Sequence, residues 1–135
     1  MARITTTYFI EGDGVDPDAC TEALRLSPTA TRRRNDGKLR GRPRNEWRVS
    51  TGWLELDSID ASVVKLLEML WPAKDRIVLY LSETNASSSL VTGIEIMDDR
   101  PDYCLSQATL AKAAQLFASY ALDIYDYRRG QQFVQ

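Results

Sequence analysis

The chain contains no histidine. That removes the side chain whose ordinary pKa lies near neutrality. It also removes every Ser–His–Asp or Cys–His unit that one chain could assemble, and every zinc site that needs an imidazole. Cysteine is scarce: Cys20 and Cys104 are too few for a four-thiolate metal centre in one subunit. In a reducing compartment they read as small apolar side chains rather than a disulfide. Long apolar runs are missing too. The best, Ile77 to Leu81, has five residues, far short of a membrane span. The opening MARITTTYF lacks the apolar stretch of a secretory signal. These absences predict a cytoplasmic protein with no membrane partner, no metal and no cofactor. An enzyme built on this chain would need carboxylates, Lys, Tyr or a thiolate as its base.

What is present fits a single domain over 1–135. A chain of this length can bury roughly two-thirds of its unfolded surface, so the core needs no staple. Composition is ordinary, 44% hydrophobic and 27% charged. The net charge of −2 hides an asymmetry: residues 32–44 carry seven Lys and Arg against Asp36, a net of +6, which leaves −8 on the rest. An acidic body with a basic arm attracts an anionic partner locally and repels it elsewhere.

Along the chain, RITTTYFIEG alternates Ile4, Thr6, Tyr8 and Ile10 on one face and predicts a strand. GDGVDPDACTEALRL opens a helix: Asp16 is a good N-cap, Pro17 suits the first position and Asp18 favours the positive end of the dipole. Val15 is placed to staple onto Cys20, and Ala19, Cys20, Ala23 and Leu24 form the expected buried stripe. A basic loop or arm over 28–45 follows, without periodicity, with a tight turn at NDG. EWRVSTGWLEL reads as one strand with Trp47, Val49, Thr51 and Trp53 on a common face. DSIDASVVKLLEMLW is the clearest helix, with Ile59, Val63, Leu66, Leu67 and Leu70 on one stripe, Asp57 or Ser58 as cap and Pro72 as stop. RIVLYLS, apolar at consecutive positions, reads as a central strand. LVTGIEIM is a further strand with Gly93 a candidate bulge. SQATLAKAAQLFASYA is a helix capped by Ser106 that buries Leu110, Ala113, Ala114 and Phe117, and ALDIYDY is the last strand. The order β-α-β-α-β-β-α-β predicts an α+β class, one two-layer sandwich with helices on one face of the sheet, related to the ferredoxin-like split βαβ.

These segments carry a resemblance. The strand running into GDGVDPDACTEALRLSPT, the basic RRRNDGK, NEWRVSTGW, the helix VVKLLEML and the closing LSQATLAKAAQLFASYALDIYDY are similar, in order and spacing, to a bacterial family catalogued as domain of unknown function 4279. The resemblance covers nearly the whole chain and no single motif in it is diagnostic. It implies a small bacterial domain and no proven activity. By analogy with other small bacterial domains it implies binding of a partner protein, as immunity proteins do.

Several patterns weigh little. Glu11, Asp13, Asp16 and Asp18 resemble a calcium loop, but Val15 stands where an oxygen ligand is needed and Asp16 replaces the turn glycine. Gly12 and Gly14 begin a G-x-G, but Pro17 takes the third glycine's place and the neighbouring carboxylates repel phosphate. Asp98, Asp99 and Asp102 read as a solvated loop beside Arg100. Tyr120, Tyr125 and Tyr127, with Trp47 and Trp53, either line a pocket or serve as core and cross-strand pairs.

The arm therefore supplies the candidate binding residues: Arg32, Arg33, Arg34, Lys38, Arg40, Arg42 and Arg44, with Trp47 beside them. Arginine suits bidentate contact with phosphate or carboxylate. The favoured reading is a non-catalytic module that binds another protein or a second copy of itself. The alternative is weak, sequence-independent binding of nucleic acid through 32–44, with a log–log salt slope of about −5 to −6 if every basic residue met a phosphate. No aromatic interleaves the arginines to stack bases. A third reading is a carboxylate- or Tyr-based enzyme. A solvated loop with no partner is the plainest account of the arm.

Overall fold

The computed structural model describes residues 1–33 and 44–128. Strand β1 (Ala2–Gly12) buries Ile4, Thr6, Tyr8 and Ile10 on one face, as the alternation predicts. Helix α1 (Pro17–Leu24) starts at Asp16, whose carboxylate accepts from the Asp18 N–H at 3.3 Å, and ends on Arg25 in the left-handed region. Val15 and Cys20 are both buried. The stripe is narrower than expected: Cys20 and Leu24 are buried and Ala19 and Ala23 are exposed, because this short helix packs mainly against α3 and β3.

Strands β2 (Ala30–Arg32) and β3 (Asn45–Ser50) pair antiparallel and flank the arm. Strand β4 (Leu54–Leu56) continues the line of β3 along β1. The register changes between them. Thr7 opposes Ser50, but Ile4 opposes Leu54, so the β3–β4 side carries one extra residue around Thr51–Trp53. This is a bulge, with Gly52 at φ 74° supplying the left-handed turn. It corrects the expected common face. Trp47 and Val49 point into the core, whereas Trp53 emerges on the other side and is 44% exposed.

Helix α2 (Ile59–Leu70) is capped by Ser58, whose hydroxyl accepts from Ala61 N at 3.1 Å, and buries all five predicted stripe residues. A 3-10 turn (Trp71–Ala73) leads into α3 (Lys74–Thr84). Here the sequence reading of RIVLYLS as a central strand is overturned. Ile77, Tyr80 and Leu81 are buried but Leu79 is exposed. The apolar run carries an i, i+3, i+4 stripe with one surplus leucine, and the turn at Pro72 redirects α2 into a second helix instead of ending helical structure.

Strand β5 (Ser87–Ile96) pairs antiparallel with β1, and helix α4 (Gln107–Gln115) crosses over to β6 (Ala118–Asp126), parallel to β5. Pairing runs through Gly93 without interruption, so the expected bulge there is absent. Ser106 caps α4 as predicted, accepting from Thr109 N at 3.1 Å. The buried side of α4 is one position off the expected stripe. Thr109 and Leu116 are buried with Ala113 partly so, while Leu110, Ala114 and Phe117 are exposed. Thr109 tolerates burial because Ser106 donates to its hydroxyl at 2.9 Å. Phe117 is turned outward by a left-handed backbone, φ 56°.

The result is α+β: a mixed, open six-stranded sheet in the order β2-β3-β1-β5-β6, with β4 beside β1. Helices α1, α2 and α4 lie on one face and α3 packs against α1. β5 and β6 are adjacent, so this crossover is an unsplit βαβ. One apolar cluster gathers around Tyr8, Trp47, Leu66 and Leu90, and a smaller one around Ile4, Ile59 and Ile94. Between them Thr6 bonds Ser62 at 2.7 Å and Thr92 at 3.0 Å, and Tyr120 donates to Thr92 at 2.8 Å. That buried hydroxyl chain ties β1, α2, β5 and β6 together with its polar groups satisfied.

Candidate functional site

The two ends of the basic arm sit at the β2–β3 edge. Arg32 opposes Glu46 in the strand register and donates to its Oε2 at 3.0 Å. Arg48 holds the other oxygen of the same carboxylate. Arg33 donates to Asp16 at 3.0 Å and to Asp18 at 2.9 Å, so the acids that open α1 also receive the arm. Arg44 lies 3.9 Å from Glu11. Trp47 is fully buried, its indole N–H donating to Thr21 at 3.0 Å. The acidic body and the start and end of the basic arm thus neutralise each other. Arg34, Lys38, Arg40 and Arg42 lie outside the described residues.

The sheet face opposite the helices is built by the other strand parity: Arg3, Thr5, Thr7, Phe9 and Glu11 from β1, and Ser89, Val91, Gly93 and Glu95 from β5, with their neighbours on β3 and β6. The middle of this face is made of small side chains. Thr5, Thr7, Val91 and Gly93 floor a depression of about 180 Å³, walled by Phe9, Trp53, Tyr125 and Asp123. Gly93 keeps the floor low: a Cβ there would come within 3.2 Å of the Thr5 methyl and 3.4 Å of the Trp53 ring. Two arginines cover the flanking rings. The Arg3 guanidinium lies 5.2 Å from the Trp53 centroid and that of Arg48 lies 5.0 Å from Phe9. Arg3 also bonds Glu95 at 2.8 Å. Tyr125 donates to Asp123 at 2.9 Å, and that hydrogen bond, reinforced by the carboxylate's charge, pushes the phenol's pKa up. It remains a donor at neutral pH.

Of the five aromatics the sequence singled out, the structure gathers Trp53, Tyr125 and Tyr127 on the open side, where Tyr127 reaches Glu95 at 3.4 Å. Tyr120 and Trp47 point inward. Phe9 and the small-residue floor were missed. The signal lay in the odd-numbered positions of β1, the complement of the face assigned to the core.

Several ionisable groups away from this face serve the scaffold. Burial pushes the Cys20 thiol up to about 12, slightly relieved by Tyr80. Burial first, and then the neighbouring thiol, push Tyr80 to about 12. Tyr8 is raised further still, mainly by burial. None of these is a nucleophile or base near pH 7. Partial burial raises Asp60, but hydrogen bonds from Ser106 and Thr109 outweigh it and leave the carboxyl low. Asp102 clamps its loop to the start of α2, its N–H donating to Asp57 O at 2.7 Å and its carbonyl accepting from Ile59 N at 3.0 Å. Among the described residues no three metal-ligating side chains converge, and no helix is long and apolar enough to cross a membrane. A second cavity of about 620 Å³ opens between α3 and the first residues of β5 and β6, lined by Val78, Leu81, Ala86 and Phe117 together with four serines.

No curated protein and no solved structure matches the chain significantly. A family model does match, over residues 3–127. That span runs from the second residue of β1 past the end of β6, and the chain belongs to the family described as Domain of unknown function (DUF4279).

Proposed function

We propose that this chain is a non-catalytic module that binds another protein through the helix-free face of its sheet, with the basic arm as an accessory contact. The observation that carries the reading is the small-side-chain floor of Thr5, Thr7, Val91 and Gly93 between the aromatic rings of Phe9, Trp53 and Tyr125, with Asp123 completing the wall. Such a depression accepts a side chain from a partner, and Trp, Tyr and Arg at its rim are the residues that dominate protein interfaces. Arg3 and Arg48 are already ordered over rings, which lowers the entropy lost on contact. The arm's described ends, Arg32, Arg33 and Arg44, lie at the β2–β3 end of the same sheet, and the arm's positive charge suits an acidic partner. A regulatory or immunity-type role in the cytoplasm accords with such a surface.

Nucleic acid is the weaker reading. Arg32 and Arg33 already hold carboxylates, Trp47 is buried, and a base could stack on Phe9 or Trp53 only by displacing an arginine. The test is capture from the source cell with wild type, Val91→Arg on the floor and Leu79→Arg on the exposed side of α3. A partner retained by wild type and Leu79→Arg but lost with Val91→Arg supports the proposal. Identical partner lists for all three overturn it.

A further inference from the structure

We infer that β6 is the pairing edge for a second copy of this chain, antiparallel and centred on Leu122. Among the described residues three strands, β2, β4 and β6, have a strand neighbour on one side only. β2 and β4 are three residues long, and β2 carries Arg32 in an ion pair, features that discourage strand addition. β6 is nine residues long, and among the described residues nothing pairs with its outer side. Its apolar side chains are exposed: Leu122 43%, Ile124 46% and Tyr125 48%. Leu122 and Ile124 share the helix-side parity of Tyr120, but α4 ends at Gln115 and covers only the beginning of the strand. The fold leaves an apolar margin beside an open row of backbone donors and acceptors.

The side-chain pattern selects both the occupant and the register. An antiparallel pair about a two-fold at Leu122 overlaps the whole of Ala118–Asp126. It sets Leu122 against Leu122 and Tyr120 against Ile124 on the helix side. On the open side it sets Ser119 against Tyr125 and Ala121 against Asp123. With Ala118 against Asp126 at the ends, these are one aliphatic, one aromatic–β-branched, one Ser–Tyr and two Ala–Asp pairs, with no like charges opposed. Centring on Asp123 instead would oppose two carboxylates, and centring on Ala121 would leave Tyr125 and Asp126 without opposite numbers. Because the matched residues share parity, both helix layers lie on one side and the two open faces become one surface. The proposal stands independently of what that surface binds.

Sedimentation equilibrium of the full chain tests it, together with Leu122→Arg and with Leu122→Cys and Ser119→Cys in a Cys104→Ser background. The expected results are a wild-type mass twice the 15.3 kDa of one chain and a dissociation constant raised more than about tenfold by Leu122→Arg, which opposes two cations at the axis. Under mild oxidation Leu122→Cys should cross-link in the dimer and Ser119→Cys should not. Circular dichroism confirms that each variant is folded. A wild-type monomer at all concentrations, a dimer indifferent to Leu122→Arg, or equal cross-linking of both cysteine variants overturns the inference.

Discussion

Arg32 and Glu46 face each other across the β2–β3 pair, the guanidinium reaching the carboxylate at 3.0 Å while the acid itself is only 5% exposed. Glu46 is where the arm's first arginine and Arg48 meet. Its removal would leave two partly buried cations uncompensated, and their Nε atoms are already buried without a partner. Glu46→Ala should cost about 3 kcal/mol, the lower end of the range for breaking a buried pair, since both arginines retain some solvent. Arg33→Ala, whose acceptors are exposed, should cost under about 1 kcal/mol and less in high salt. Urea midpoints measure both. A Glu46→Ala midpoint equal to that of wild type would show that this carboxylate is not buried against the arginines in solution.

The paired Cys20 and Tyr80 predict how stability responds to alkali. Cys20 rises from 9.0 and Tyr80 from 10.0, each to about 12. A group that holds its proton more tightly folded than unfolded contributes stability that is complete below the unfolded pKa and is lost as pH rises through the folded one. Urea stability should therefore be insensitive to these two groups up to about pH 9 and fall between pH 9 and 12. Cys20→Ala should lower stability at pH 7 through lost packing but flatten the alkaline slope. Parallel curves for wild type and variant would contradict this assignment. The thiol reagent that labels Cys104 in the folded protein should reach Cys20 only after unfolding, because the one is exposed and the other buried.

Phe117 occupies a left-handed position after α4, with φ 56° and 73% of its surface exposed. Glycine is the residue that such a helix C-terminus favours. Phe117→Gly should raise stability by about 1 kcal/mol, read as a higher thermal midpoint. A lower midpoint would mean that the ring contributes more by lining the cavity with Val78, Leu81 and Ala86 than its backbone costs.

How much of this was legible depended on whether one strand parity or one helix stripe could be read without ambiguity. β1 and α2 could: Ile4 to Ile10 and Ile59 to Leu70 follow a single period, and both appear as expected. The RIVLYLS segment could not, because a short apolar run satisfies strand and helix patterns alike, and only its neighbours decide which residue is left outside. α4 was misphased because Thr109, a polar residue, takes a buried position that Leu110 would fill on hydrophobicity alone; the Ser106 hydroxyl makes the exchange possible. The candidate face was half legible. Its residues are the discarded parity of the strands, but Trp53 was assigned inward because nothing in the letters STGW announces an inserted residue except the glycine itself. The charge complementarity between the arm and the first turn of α1 was hidden for a different reason: Arg33 and Asp16 are remote in sequence, and charge counts carry no geometry.

The inserted residue at Gly52 has an evolutionary corollary. Side chains alternate along a strand, so the direction in which Trp53 looks is set by chain length and not by residue chemistry. Loss of a single codon there would rotate the following segment by half a period, carrying the indole and Glu55 towards the oily interior and Leu54 and Leu56 into water. A change of chain length there would thus remove Trp53 from the rim without altering a single side chain, while Phe9 and Tyr125, on β1 and β6, would stay in place.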